Sequence, residues 1–247
     1  VPYDGTASFK PGAREGPETI ISASRELEEY DVELRREPCS AGIHTAPAVE
    51  PHMGSPEGMV ERVALAVGPS VQDGKLVVVL GGDHSVTVGS VRAVVSKYPD
   101  LSVLYLDAHA DLRQEYLGTS WGHASTARRV SELCPVVLAG VRSMSGEEAR
   151  FIASADIPFF SWSGGKKGLP GDEIVSALSA HVYVSIDVDV FDPSLMAAVG
   201  NPVPGGMAWH QVLSVLRTVA TARRIVGFDV VELSPREGPV ACAFTAA

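Results

Sequence analysis

The sequence offers almost no sulfur chemistry. Three cysteines (Cys39, Cys134, Cys242) lie far apart in 247 residues, odd in number and without a CxxC pair. A disulfide framework and a thiolate zinc site are thereby excluded, and a reducing, cytoplasmic setting is the default expectation. Long hydrophobic runs are missing too; the longest are short stretches such as Leu76–Leu80, far below the ~18 apolar residues a membrane span needs. Lysine is scarce, at five, and the fifteen arginines are scattered, with Arg128-Arg129, Lys166-Lys167 and Arg223-Arg224 the densest spots. No basic patch forms, which argues against nucleic acid or an anionic membrane as partner. The net charge of −10 fits a self-solvating surface, a cationic ligand or bound metal ions alike, and composition does not choose among them. No signal peptide is expected within the residues given.

What is present is an ordinary globular composition, 45% hydrophobic, in a length that fits one α/β domain. Short β-branched runs at Leu76–Leu80, Ser102–Leu106, Pro135–Ala139, Ile157–Phe160, Val182–Ile186 and Ile225–Val231 predict six strands. Amphipathic segments alternate with them. Ser55-Pro56 starts a helix with Val60, Val63, Ala64 and Val67 on one face, Ser145–Glu148 has capping-box spacing, and Trp209, Val212, Leu213, Leu216 and Ala220 form a stripe. Gly68–Gly74 and Ser163–Gly171 read as loops. The alternation predicts βαβ units and a mostly parallel sheet covered on both faces, with ligands bound beyond the carboxyl ends of its strands.

Three of those ends carry ionisable residues. One strand runs into Gly81-Gly82-Asp83-His84-Ser85, another into Asp107-Ala-His109-Ala-Asp111, a third into Asp187-Val-Asp189. In extended chain, alternate residues share a face, so Asp107, His109 and Asp111 project together, as do Asp187 and Asp189. Carboxylates crowded on a core strand are costly without a partner, and one is normally forced to keep its proton. Dications remove the conflict. Carboxylate and imidazole donors favour Mn²⁺, Fe²⁺ or Zn²⁺, and six such donors suggest two metals sharing a water. Asp192 reads as a turn former, and His44, His52, His181 and His210 as structural.

Gly81–Ser85, Asp107–Asp111, Ser185–Pro193, Pro204–Gly206 and Gly227–Pro235, in this order and spacing, resemble the ureohydrolase family of arginases and agmatinases, as do the early segments Val1–Gly5 and Lys10–Pro17. The resemblance implies a three-layer α/β/α domain spanning residues 1–247, trimmed of a short N-terminal strand start and a C-terminal helix, and two Mn²⁺ per chain. One ion takes His84, Asp107, Asp111 and Asp187; the other takes Asp107, His109, Asp187 and Asp189. Activated water attacks a guanidinium carbon, and a tetrahedral intermediate collapses to urea and an amine. By the same resemblance Glu232 holds the guanidinium, His123 in Trp121–Ser125 shuttles a proton, and the chain assembles as a homo-oligomer, a trimer or hexamer, in the cytoplasm. Read from the sequence alone, both residues have bland alternatives as a strand-end acid and a structural histidine.

Arginases carry an Asn- and Ser-rich stretch after their Asp-x-His-x-Asp. Leu112–Gly118 lacks it and resembles the Asp-Leu-Arg-x-Glu-Tyr pattern of agmatinases, archaeal-type ones in particular. A small cationic guanidino substrate without an α-carboxylate is implied: agmatine, giving putrescine, or aminopropylagmatine, giving spermidine. Glu115 is the expected partner of a distal ammonium. Asn201 stands where the family often has Thr, Gly122 where Ser is frequent, and the 44–52 segment lacks the usual acidic Gly-Asp pattern. The alternatives are arginase or guanidinobutyrase activity, zinc-dependent amide hydrolysis on a related fold, and a non-catalytic metal-binding homologue.

Overall fold

In a computed structural model, which describes residues 1–165 and 168–247, six parallel strands form one sheet. They are β1 (Val77–Leu80), β2 (Leu101–Leu106), β3 (Val136–Ala139), β4 (Phe159–Phe160), β5 (His181–Asp187) and β6 (Arg224–Val231), in the spatial order β1-β6-β5-β2-β3-β4. Every pair is parallel. The β-branched runs drive this, because such side chains pack well on a pleated surface covered on both sides. The Lys166-Lys167 pair lies outside the described residues.

Among the described residues eight α-helices cover the sheet: α1 (Gly16–Ser24), α2 (Pro56–Gln72), α3 (Val86–Val95), α4 (Thr126–Ser131), α5 (Gly146–Ser154), α6 (Gly171–Ala177), α7 (Trp209–Ala222) and α8 (Ala241–Ala246). Alternation along the strands divides the interior into two cores. Leu101, Val103 and Tyr105 of β2 face Met59, Val63, Val91 and Val130 of α2, α3 and α4. Leu104 and Leu106 face Ile20, Ile174, Val215 and Cys242 of α1, α6, α7 and α8. The result is three layers. Among the described residues no helix is long and apolar enough to cross a membrane.

Two helical details differ from expectation. The Gly68–Gly74 stretch is not all loop, since α2 runs through Gly68 and Pro69 to Gln72. Pro69 forfeits one bond to the turn before it. That turn faces water, with Leu65 79% exposed, while Val67 and Val71 stay buried and carry the helix onward. In α7 the buried stripe is Val212, Val215 and Val219, rotated from the expected one, and Trp209 sits half-exposed at the helix start. The Ser145–Glu148 capping box forms as expected.

The N-terminal residues 1–12 cross over the carboxyl end of β1. Val1 N bonds Leu80 O (2.7 Å) and Asp83 N bonds Tyr3 O (2.7 Å). The approach is so close that a Cβ at Gly82 would fall 1.8 Å from Tyr3 O, which only glycine avoids.

Candidate active site

The ionisable residues meet where expected, beyond the carboxyl ends of four neighbouring strands: β1 (Asp83, His84), β6 (Glu232), β5 (Asp187, Asp189) and β2 (Asp107, His109, Asp111). Only part of this comes from strand alternation. β2 ends at Leu106, and Asp111 turns into the site through a left-handed backbone, φ 49°. β5 ends at Asp187, whose Oδ1 accepts from Asp189 N (2.8 Å) and so winds residues Val188–Val190 into a 3-10 turn. Asp189 therefore arrives by a turn and not by the two-residue period. Strained backbone at a non-glycine is costly and concentrates at functional sites; Glu232, φ 66°, is a second case here.

Two cradles result. In the first, His84 Nδ1 lies 3.1 Å from Asp107 Oδ2, 3.1 Å from Asp187 Oδ2 and 3.5 Å from Asp111 Oδ2. One ring nitrogen cannot donate to three carboxylates. The other nitrogen, Nε2, meets Ser185 Oγ (2.8 Å), and Ser185 donates its single hydrogen to Asp229 Oδ1 (2.7 Å). Ser185 must therefore accept from His84, which puts a hydrogen on Nε2 and leaves Nδ1 bare in the neutral ring. A bare nitrogen among three carboxylate oxygens is a cation site. Asp107 Oδ2 is buried with no hydrogen-bond donor, the orphan expected of an atom that meets a metal. Tyr105 braces the cradle, stacking on His84 at 4.4 Å and donating to Asp111 Oδ2 (2.8 Å).

In the second cradle His109 Nδ1 lies 2.9 Å from Asp189 Oδ2 and 3.6 Å from Asp107 Oδ1. Asp107 is thus common to both, and these side chains form two groups able to hold a metal ion. Asp187 contacts the first cradle through Oδ2.

The electrostatics show what the cluster does without a cation. Burial, with the charge of Asp107, pushes the Asp111 carboxyl well above its usual range; burial with Asp189 does the same to Asp187. Burial opposes protonation of both histidines, yet facing carboxylates outweigh it. His84 is held well above its usual value, and His109 is raised to about 12. Protons substitute for missing positive charge.

Above the cradles opens a cleft of about 600 Å³ lined by His109, Asp111, His123, Asp187, Asp189 and Glu232, among others. Glu232 Oε1 accepts from His84 N (2.7 Å), and burial followed by the charge of Asp83 raises its pKa well above normal. The His123 pKa is lowered, chiefly by burial, so its ring is neutral at pH 7. Asn201 lines the cleft and donates to Ser8 Oγ (3.4 Å). Glu115 does not reach the cleft: it is exposed on the surface, where Arg113 and Tyr116 line the wall instead. Sequence reasoning missed Glu148, Thr6 and Ser8. Glu148 lines the wall with one oxygen on Leu112 N (3.0 Å) and the other on Ser145 N (2.6 Å); its capping box was the only signal. Asp192 is a turn former, accepting from Ser194 N (3.0 Å) and Gly206 N (2.9 Å).

Known proteins are similar to this chain in sequence and fold. The N(1)-aminopropylagmatine ureohydrolase of Thermus thermophilus is 44% identical over 237 residues, covering 95% of this chain and 81% of that protein. The agmatinase of Pyrococcus horikoshii is 35% identical, covering 95% and 82%. The crystal structure of agmatine ureohydrolase of Thermoplasma volcanium superposes with a TM-score of 0.89 at 31% identity, covering 99% of this chain and 83% of that one. The profile of the arginase family, whose members are binuclear metal hydrolases, matches residues 1–247. With that match over its whole length, the chain belongs to the arginase family and is an enzyme of the ureohydrolase class.

Proposed function

We propose that the chain hydrolyses agmatine to putrescine and urea, or N1-aminopropylagmatine to spermidine and urea, with two Mn²⁺ per chain. His84, Asp107, Asp111 and Asp187 hold one ion; Asp107, His109, Asp187 and Asp189 hold the other. The observation that carries this reading is the convergence of three carboxylate oxygens on one imidazole nitrogen, with Glu232 alongside. The substrate follows from the Leu112–Gly118 stretch, which lacks the arginase Asn, and from the activities for which the relatives are named. When bound, the two ions neutralise the carboxylate cluster and make a water nucleophilic at neutral pH.

The chain's own groups do the rest. Glu232 faces the guanidinium and fixes its plane through paired charge-assisted hydrogen bonds. His123, neutral at pH 7, takes a proton from the attacking water. It returns that proton to the departing amine as the C–N bond breaks and its electron pair moves to nitrogen. A homo-oligomer, trimer or hexamer, in the cytoplasm belongs to the same reading. Exposed Val32, Ile43 and Met53 give a subunit contact apolar material to cover.

A urea-release screen after manganese loading tests the activity. Agmatine or aminopropylagmatine should turn over well ahead of arginine and guanidinobutyrate; no urea from any of them at full metal occupancy would refute it. Metal uptake should also release protons, because His84 and His109 hold them at pH 7 in the metal-free chain. Affinity then falls as pH falls. Calorimetric titration in two buffers of different ionisation enthalpy measures this, and an identical heat in both contradicts the assignment.

A further inference from the structure

We infer that Thr6 and Asp83 are positioning residues for His123, fixing its hydrogen on Nδ1 and presenting a bare Nε2 to the cleft. This rests on the reading of His123 as the group that carries the proton. The argument is a count of hydrogens around one hydroxyl. Thr6 Oγ1 lies 2.8 Å from Asp83 Oδ2, and that carboxylate oxygen also accepts from Thr6 N (2.9 Å). Asp83 is 1% exposed, and its other oxygen is taken by Ser85 N and the Ser85 hydroxyl. A carboxylate only accepts, so the Thr6 hydrogen is committed to it.

The Thr6 oxygen then has lone pairs alone for its remaining neighbours. It accepts from His123 N (3.0 Å) and meets His123 Nδ1 at 3.3 Å. With no hydrogen left on the oxygen, that contact needs one on Nδ1. The neutral ring therefore has its free lone pair on Nε2. Ser8 Oγ sits 3.2 Å from Nε2, on the exposed side, and serves as donor there. Tyr116 packs edge-on against the ring at 6.1 Å and limits its rotation.

The consequence is chemical. When Nε2 gains a proton, the new positive charge is shared with Nδ1–H, which already points through the Thr6 hydroxyl to the Asp83 carboxylate. This is the orienting logic of an acid behind a histidine, with a hydroxyl inserted between them. Thr6 belongs to the N-terminal segment that crosses Gly82, so its position is fixed by the Asp83 N to Tyr3 O bond and not by anything near His123 in sequence.

The test compares Thr6→Val with Thr6→Ser in enzyme of verified metal content. Thr6→Val should lower kcat roughly 10- to 100-fold, with KM and metal stoichiometry unchanged, and Thr6→Ser should recover most of it. Nitrogen-15 NMR of the histidine rings should report the Nδ1–H tautomer for His123 in the parent and the Ser variant, and a mixture in the Val variant. In a His123→Asn background, Thr6→Val should cost nothing further. If Thr6→Val keeps parental kcat and tautomer, or lowers turnover equally in both backgrounds, the inference fails. If His123→Asn itself keeps full turnover, the proton-carrying role of His123 falls, and the positioning role with it.

Discussion

Asp107→Asn is expected to lower urea release at least about 10³-fold and to cost the chain both metal ions. Asp107 touches both cradles and, with Asp187, belongs to both proposed ligand sets; it is fully buried, with Oδ1 on His109 N (2.5 Å) and Oδ2 without a donor. An asparagine can keep the bond to His109 N through its amide oxygen, so the fold survives. Its NH₂ then occupies the Oδ2 position and points two hydrogens at the place where the acceptors converge. The cradle is closed by a neutral donor of the wrong sign for a cation. Asp189→Asn makes the contrast, because Asp189 touches the His109 cradle and leaves the His84 cradle intact. Metal per chain by elemental analysis separates the two variants. An Asp107→Asn enzyme that retains two ions, or loses only one, would show that the cradles do not share this residue.

Glu232→Gln should leave both ions in place and remove the charge that meets the guanidinium. Truncating one member of a desolvated charge pair costs about 2–5 kcal/mol, which corresponds to roughly 30- to 5000-fold in kcat/KM. Glutamine preserves the shape and can still accept from His84 N, so the comparison isolates charge. The sign with pH follows from the raised carboxyl. Its ionised form captures the cation, so kcat/KM in the parent rises with pH as buried Glu232 gives up its proton, and this limb should vanish in the variant. Steady-state kinetics over pH on metal-verified protein decides it, and a Gln variant with parental kcat/KM would remove Glu232 from substrate capture.

The fold was legible because its strongest signals are local. All six strands follow from short β-branched runs, and the parallel sheet follows from their alternation with amphipathic stretches. The misread Gly68–Gly74 stretch shows where locality fails: buried Val67 and Val71 outweighed a glycine and a proline. In the site, the metal-ligand candidates were legible because charged side chains on a core strand announce themselves. Asp189 was placed on the right side for the wrong reason, since a carboxylate-capped turn brings it there. Thr6 and Ser8 left no trace, because small hydroxyls gain meaning only when tertiary contacts 117 and 115 residues away find them. Glu115 was misplaced because a loop side chain's direction depends on a wall that only the folded chain supplies.

The strand order has one more consequence, for how the chain acquires its site. β6 lies between β1 and β5, though it is the last of the six in sequence, and it pairs Gly227 with Val77 across 150 residues. Until it docks, β1 has no neighbour in the sheet, and His84 has no means of meeting Asp187. Contacts of such sequence separation form late and slowly. The His84 cradle is thus absent from every partly assembled form that lacks this strand, whereas the His109 cradle needs only β2 and β5; capture of the second ion becomes a chemical signature of completed topology, arriving with the final pairing and holding it closed.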